Sequence, residues 1–108
     1  MNIQFKKGVL ELCVLTLLSN GDRYGYELSS SISEKIDISD GTIYPVLRRL
    51  KSDGFVTTYL RESNEGPPRK YYKLTNDGGR EKTSLHRQWK TFVSSVDNLV
   101  ESEDTANE

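Results

Sequence analysis

The chain has 108 residues, 34% hydrophobic and 29% charged, with a formal net charge of −1, the profile of one ordinary domain with room for a single core. No apolar run approaches the roughly 20 residues of a membrane span, and Met1-Asn2-Ile3-Gln4-Phe5-Lys6-Lys7 lacks a signal-peptide pattern, so a cytoplasmic location without a membrane partner is expected. With Cys13 and His86 as the only cysteine and histidine, an internal disulfide and a zinc cluster are excluded; no catalytic Ser-His-Asp or Cys-His pattern and no phosphate-binding glycine loop is present, so no enzyme, metal or cofactor site is expected.

Residues 6 to 20 read as a first helix, with Leu10, Cys13 and Leu17 on one line and Leu12, Leu15 and Leu18 broadening it. Asn20-Gly21 suits its C-terminal end. The apolar residues Val9 to Leu18 nearly encircle the helix, more than one small domain can cover, which points to a partner chain. Cys13 reads as a buried, inert thiol. A second helix over residues 24 to 36 is marked by Leu28, Ile32 and Ile36, but its serines are mediocre helix formers, so tertiary packing must hold it.

The stretch from Ser39 to Gly54 is the centre of the chain. Ile43, Val46, Leu47 and Leu50 fall at helical spacing, leaving Gly41, Pro45, Arg48 and Ser52 on the outward face. Pro45 allows two starts: a helix capped by Ser39 must distort around it, whereas one capped by Thr42 holds it in the first turn. The Ser39 start with local distortion is the preferred expectation. Residues 55 to 60 and 70 to 74 then read as strands, and Glu62-Ser63-Asn64-Glu65-Gly66-Pro67-Pro68 as a long connecting loop. Helix, turn, helix and hairpin together sketch a winged helix-turn-helix, mainly a nucleic-acid fold.

Thr75 is placed to cap a last helix, in which Gly78 and Gly79 weaken the first turn. Leu85, Trp89, Phe92, Val96 and Leu99 step by four, three, four and three, a heptad seam. Two heptads sustain a dimer interface only when packed against a second subunit's apolar first helix. The expected fold is therefore mainly α with a β-hairpin: a winged helix-turn-helix over residues 1 to 75, a dimerisation helix over 76 to 101 and a disordered acidic tail over 102 to 108. Charge is polarised in the same way. Residues 39 to 75 carry seven basic and four acidic groups, while from residue 97 onward there are five acids and no base.

Four motifs resemble the PadR-like bacterial transcriptional regulators. They are Leu10-Glu11-Leu12 with Leu15 and Leu18; Tyr24-Gly25-Tyr26-Glu27-Leu28; Gly41-Thr42-Ile43-Tyr44-Pro45-Val46-Leu47-Arg48-Arg49-Leu50 with Gly54; and Arg69-Lys70-Tyr71-Tyr72-Lys73-Leu74-Thr75 with Gly78. The resemblance implies a winged-helix homodimer that represses genes and releases DNA in response to a small molecule or other signal. The single last helix resembles short members of the family, among them a multidrug-resistance regulator of lactic acid bacteria, in which a tryptophan of that helix stacks on planar drugs at the dimer centre. Trp89 matches that tryptophan; the rest of the helix departs from the pattern.

The expected DNA-contacting residues follow from major-groove reading by a slim helix face. Thr42, Tyr44 and Arg48 can reach base edges or phosphates, Ser39 can hold a phosphate at the helix start, and Arg49 and Lys51 suit the backbone. The bland alternative for Arg48 and Arg49 is a solvated helix face. On the wing, Arg69, Lys70 and Tyr71 are the candidates, against cross-strand pairing of the bases with Glu62 or Glu65. Tyr72 is assigned to the core and His86 to solvent.

Trp89 is the candidate for a planar aromatic ligand, with Phe5, Leu12 and Val93 lining the same space; its alternative is packing in the dimer seam formed with Leu85, Phe92, Val96 and Leu99. The function expected is a sequence-specific regulator binding a pseudo-palindromic double-stranded operator as a homodimer. The alternative is a small-molecule or protein-binding module on the same scaffold with weak DNA affinity, which the net acidity keeps open.

Overall fold

In the computed structural model, residues 3–106 are described, with side chains from residue 8 onward. Helix α1 (Ile3–Leu18) leads through a turn to a two-residue strand β1 (Arg23–Tyr24) and helix α2 (Gly25–Ser33). A 3-10 turn (Asp40–Thr42) opens helix α3 (Ile43–Ser52), followed by strands β2 (Val56–Ser63) and β3 (Gly66–Leu74) and the long helix α4 (Asn76–Ala106). Among the described residues no helix is long and apolar enough to cross a membrane.

The core lies where α1, α2, α3 and the sheet meet. Leu10, Val14 and Leu15 of α1, Leu28 of α2, Ile43 and Leu47 of α3 and Val56 of β2 are all but inaccessible to solvent, and each such side chain contributes about 1.5–3 kcal/mol by leaving water. The α3 stripe predicted from spacing is the stripe that is buried. Tyr72 belongs to the same cluster. Between α2 and the 3-10 turn the buried Ser29 hydroxyl donates to the carbonyl of Asp40 at 3.3 Å, a tertiary tie that offsets the weak helix propensity of the serine run. α2 itself stops at Ser33, three residues earlier than its apolar spacing predicts.

Pro45 resolves against the preferred start. Ser39 precedes only the 3-10 turn, its hydroxyl 2.8 Å from that of Thr42. The α-helix begins at Ile43, which places Pro45 in its first turn, where a backbone N–H has no intrahelical acceptor to lose.

The wing also differs from expectation. The sheet has the order β1-β3-β2 and is antiparallel throughout. The loop predicted over residues 62 to 68 contracts to Asn64-Glu65, because strand pairing continues from Arg61↔Arg69 out to Ser63↔Gly66. Pro67 and Pro68 fit because they sit at a register irregularity, beyond the part of β3 that β1 covers. Gly66, with φ +145°, supplies a conformation that a side chain resists.

The joint between wing and α4 is tight. Thr75 alone separates β3 from α4. Its hydroxyl donates to the Gly54 carbonyl at 2.8 Å and accepts from the Gly78 N–H at 2.9 Å, and its own N–H donates to the Phe55 carbonyl at 3.1 Å. Gly78 presses so closely on the Phe55 carbonyl that a Cβ would overlap it, so the glycine predicted to weaken the helix is what allows it to dock. The acidic end is not a disordered tail as far as it is described: residues 102–106 are helical, since extending an existing helix needs no new nucleus.

Candidate nucleic-acid interface

α3 turns its basic and aromatic residues outward. Tyr44 is 40% exposed, and Arg48, Arg49 and Lys51 are exposed beside it. Arg49 forms an ion pair with Glu11 of α1, so it is neither a bare solvated arginine nor a fully available phosphate ligand. Ser39 is exposed and Thr42 half-buried. Tyr44 lies against the start of α2, with one ring carbon 3.2 Å from where a Cβ on Gly25 would stand. Burial holds the Tyr72 hydroxyl above the ordinary tyrosine range, with Tyr44 adding to the shift and Arg48 opposing it. Core packing and the outward face of α3 therefore meet at Tyr44, Tyr72 and Arg48.

On the wing, Lys70 is exposed, while Arg69 and Tyr71 are half-buried on the sheet surface. The Arg69 guanidinium lies 4.6 Å from the ring centroid of Tyr24 and that of Arg61 lies 5.2 Å from the ring of Tyr71. The alternative of pairing with Glu62 or Glu65 is not realised: among the described residues neither Arg69 nor Lys70 makes a salt bridge with them, and the residue opposite Arg69 is Arg61. Sequence reasoning alone does not single out Tyr24, Tyr59 and Arg61 for this face. The alternation Tyr59, Arg61 and Arg69, Tyr71 points to one sheet face, but only the short turn aligns the two pairs.

A second feature lies on the other side of α1. A cavity of about 560 Å³ is lined by Leu12, Cys13 and Leu17 of α1, by Ile32 and Ile36 on the α2 side, and by Lys82, His86 and Trp89 of α4, among others. It brings Leu12 and Trp89 together within one chain. Val93 does not line it and instead shares with Trp89 a separate depression further along α4. The side chain of Phe5 lies outside the described residues. His86 is exposed yet borders the cavity. Cys13 is half-buried, and burial pushes its thiol above the usual range. Beyond it the α4 seam emerges, with Phe92, Val96, Leu99 and Val100 each at least 42% exposed and Leu85 half-buried against the core.

A buried α2–α3 pair that exposes one basic helix face, beside a three-stranded basic wing, defines a winged helix-turn-helix protein. The model for the transcriptional regulator PadR-like family matches residues 14–84, and the chain belongs to that family. It is thus a transcriptional regulator of a DNA-binding kind and not an enzyme. A PadR-like transcriptional regulator of Bacillus cereus superposes with a TM-score of 0.79 at 36% identity, covering 90% of this chain and 96% of its own. A Streptococcus mutans protein superposes with a TM-score of 0.81 at 34% identity, covering 88% and 89%. The negative transcriptional regulator PadR of Bacillus subtilis is 31% identical over 77 residues, 68% of this chain and 42% of that protein.

Proposed function

We propose that the chain is a repressor that binds a pseudo-palindromic operator as a homodimer and is released by a small planar aromatic molecule. The observation that carries the DNA part is the outward face of α3, where Tyr44 and Arg48 stand exposed on a helix whose other face is entirely core. Thr42, Tyr44 and Arg48 read bases, Ser39 and Lys51 contact phosphates, and Arg69, Lys70 and Tyr71 grip the flanking backbone or minor groove. Arg49 contributes when its ion pair with Glu11 opens, at a cost of no more than about 1 kcal/mol for a pair so near the surface.

Dimerisation is supported by the seam of α4, whose exposed Phe92, Val96 and Leu99 repeat at heptad spacing. Two copies joined there present two recognition helices to successive major grooves, about 34 Å apart. The ligand part is supported by the cavity that joins Leu12 to Trp89. A gel-shift titration on the promoter upstream of the protein's own gene, at two salt concentrations, tests the whole. Saturable binding that exceeds binding to random duplex is the expected result; equal binding to both removes operator recognition.

A further inference from the structure

Resting on the duplex-binding reading, we infer that Arg61 and Arg69 form a two-pronged site for a DNA backbone phosphate, held ready by a row of tyrosines that crosses the sheet. The register aligns the parts. Tyr24 of β1 faces Tyr71 of β3, which faces Tyr59 of β2, and two residues nearer the tip Arg69 faces Arg61. A strand repeats every second residue, so all five side chains share one face.

Two guanidinium groups directly opposite each other destabilise an antiparallel pair, and among the described residues neither is neutralised by a salt bridge. What holds them is aromatic. Arg69 lies 4.6 Å from the Tyr24 centroid and Arg61 lies 5.2 Å from that of Tyr71, while the rings pack at 5.6 Å (Tyr24 with Tyr71) and 5.7 Å (Tyr59 with Tyr71). The far end is pinned where the Tyr59 hydroxyl donates to the Asp22 carboxylate at 2.7 Å.

A ring face attracts a guanidinium without occupying its N–H donors, as a carboxylate would. Both forks therefore keep donors for an acceptor arriving from outside. A depression of about 400 Å³ beside them is lined by Arg61, Arg69 and Tyr71 together with Ser63, Glu62 and Glu65. A single phosphate diester placed between the forks accepts from both and cancels their repulsion, which a neutral ligand cannot do. Because Tyr24 runs directly into α2, the row also fixes these prongs relative to the helix-turn-helix. Tyr24 and Tyr59 are positioning residues, and Tyr71 adds that role to its own place against the duplex; the arginines make the phosphate contact.

The test is fluorescence anisotropy of a labelled duplex of arbitrary sequence across a salt series. Arg61→Gln is expected to weaken binding about ten-fold and to lower the slope of log affinity on log salt by about 0.9. Its thermal midpoint should be unchanged or higher, since a like-charge contact is removed, whereas a merely structural arginine would lower it. Tyr24→Phe should bind as the parent does. Tyr24→Leu should lose several-fold in affinity, and that loss should vanish in an Arg69→Gln background. Parent binding with Arg61→Gln unchanged in affinity and slope overturns the fork alone, as does a Tyr24→Leu loss that persists without Arg69. Absence of any duplex binding by the parent overturns the duplex-binding reading as well.

Discussion

Replacing Gly78 by alanine adds one methyl group at the most confined of the described glycines, and replacing its neighbour Gly79 adds the same group where there is room for it. At Gly78 the new Cβ overlaps the Phe55 backbone carbonyl and crowds a methyl of Leu74 at 2.7 Å. The carbonyl cannot swing aside like the end of a flexible side chain, because it already accepts from the Thr75 N–H at 3.1 Å. Overpacking of this kind costs about 3 kcal/mol, and the better helix propensity of alanine returns about 1 kcal/mol. The net loss of about 2 kcal/mol lowers the thermal midpoint of a domain this size by about 10 °C. At Gly79 the nearest obstacle is the other Leu74 methyl at 3.9 Å, so the propensity gain of about 0.5–1 kcal/mol stands alone. Thermal and guanidinium denaturation followed by circular dichroism, at one fixed protein concentration, reads both variants. Shifts of the same sign, or a Gly78→Ala variant as stable as the parent, would refute the docking geometry assigned to α4.

Tyr44→Ala should cost more on operator than on random duplex, because the ring stands on the exposed face of α3 at 40% exposure; equal losses in a gel shift would remove it from base reading. The Trp89 fluorescence should be quenched saturably by a planar aromatic dye, since the indole lines the cavity, and silence across many dyes would leave it a packing residue of the proposed dimer seam. Cys13 should react with a thiol reagent more slowly than the same cysteine in the unfolded chain, because burial raises its pKa from the ordinary 9.0. A raised pKa keeps its stabilising contribution below about pH 9 and loses it as pH rises through the folded value, so denaturation midpoints should fall on the alkaline side; a flat alkaline limb together with full reactivity would show the thiol to be free in water.

The parts legible in the sequence are those governed by period. Ile43, Val46, Leu47 and Leu50 repeat as a helix does, and they are the buried face of α3. Phe92, Val96 and Leu99 also repeat at helical spacing, and they lie on α4, where they stand exposed. What was not legible depends on partners distant in sequence. A two-residue strand such as Arg23-Tyr24 has no period at all, and only its pairing with Tyr71 and Tyr72 defines it. The wing's turn was obscured by residues that ordinarily break strands, and Gly78 looked like a flaw in a helix until the carbonyl beneath it was in view. Arg61 carries no signal of its own, because an arginine in a strand says nothing about which residue will face it.

The single-residue link at Thr75 makes wing and long helix parts of one lever. With no slack between them, and three hydrogen bonds clamping the fulcrum, a tilt imposed on one arm is carried to the other. The 31 residues of α4 span about 46 Å at 1.5 Å each, so about 8 Å of travel at the far tip corresponds to about 10° at the pivot. If α4 joins two copies as proposed, small rotations at the wing become large displacements at that junction, and the same gearing runs in reverse.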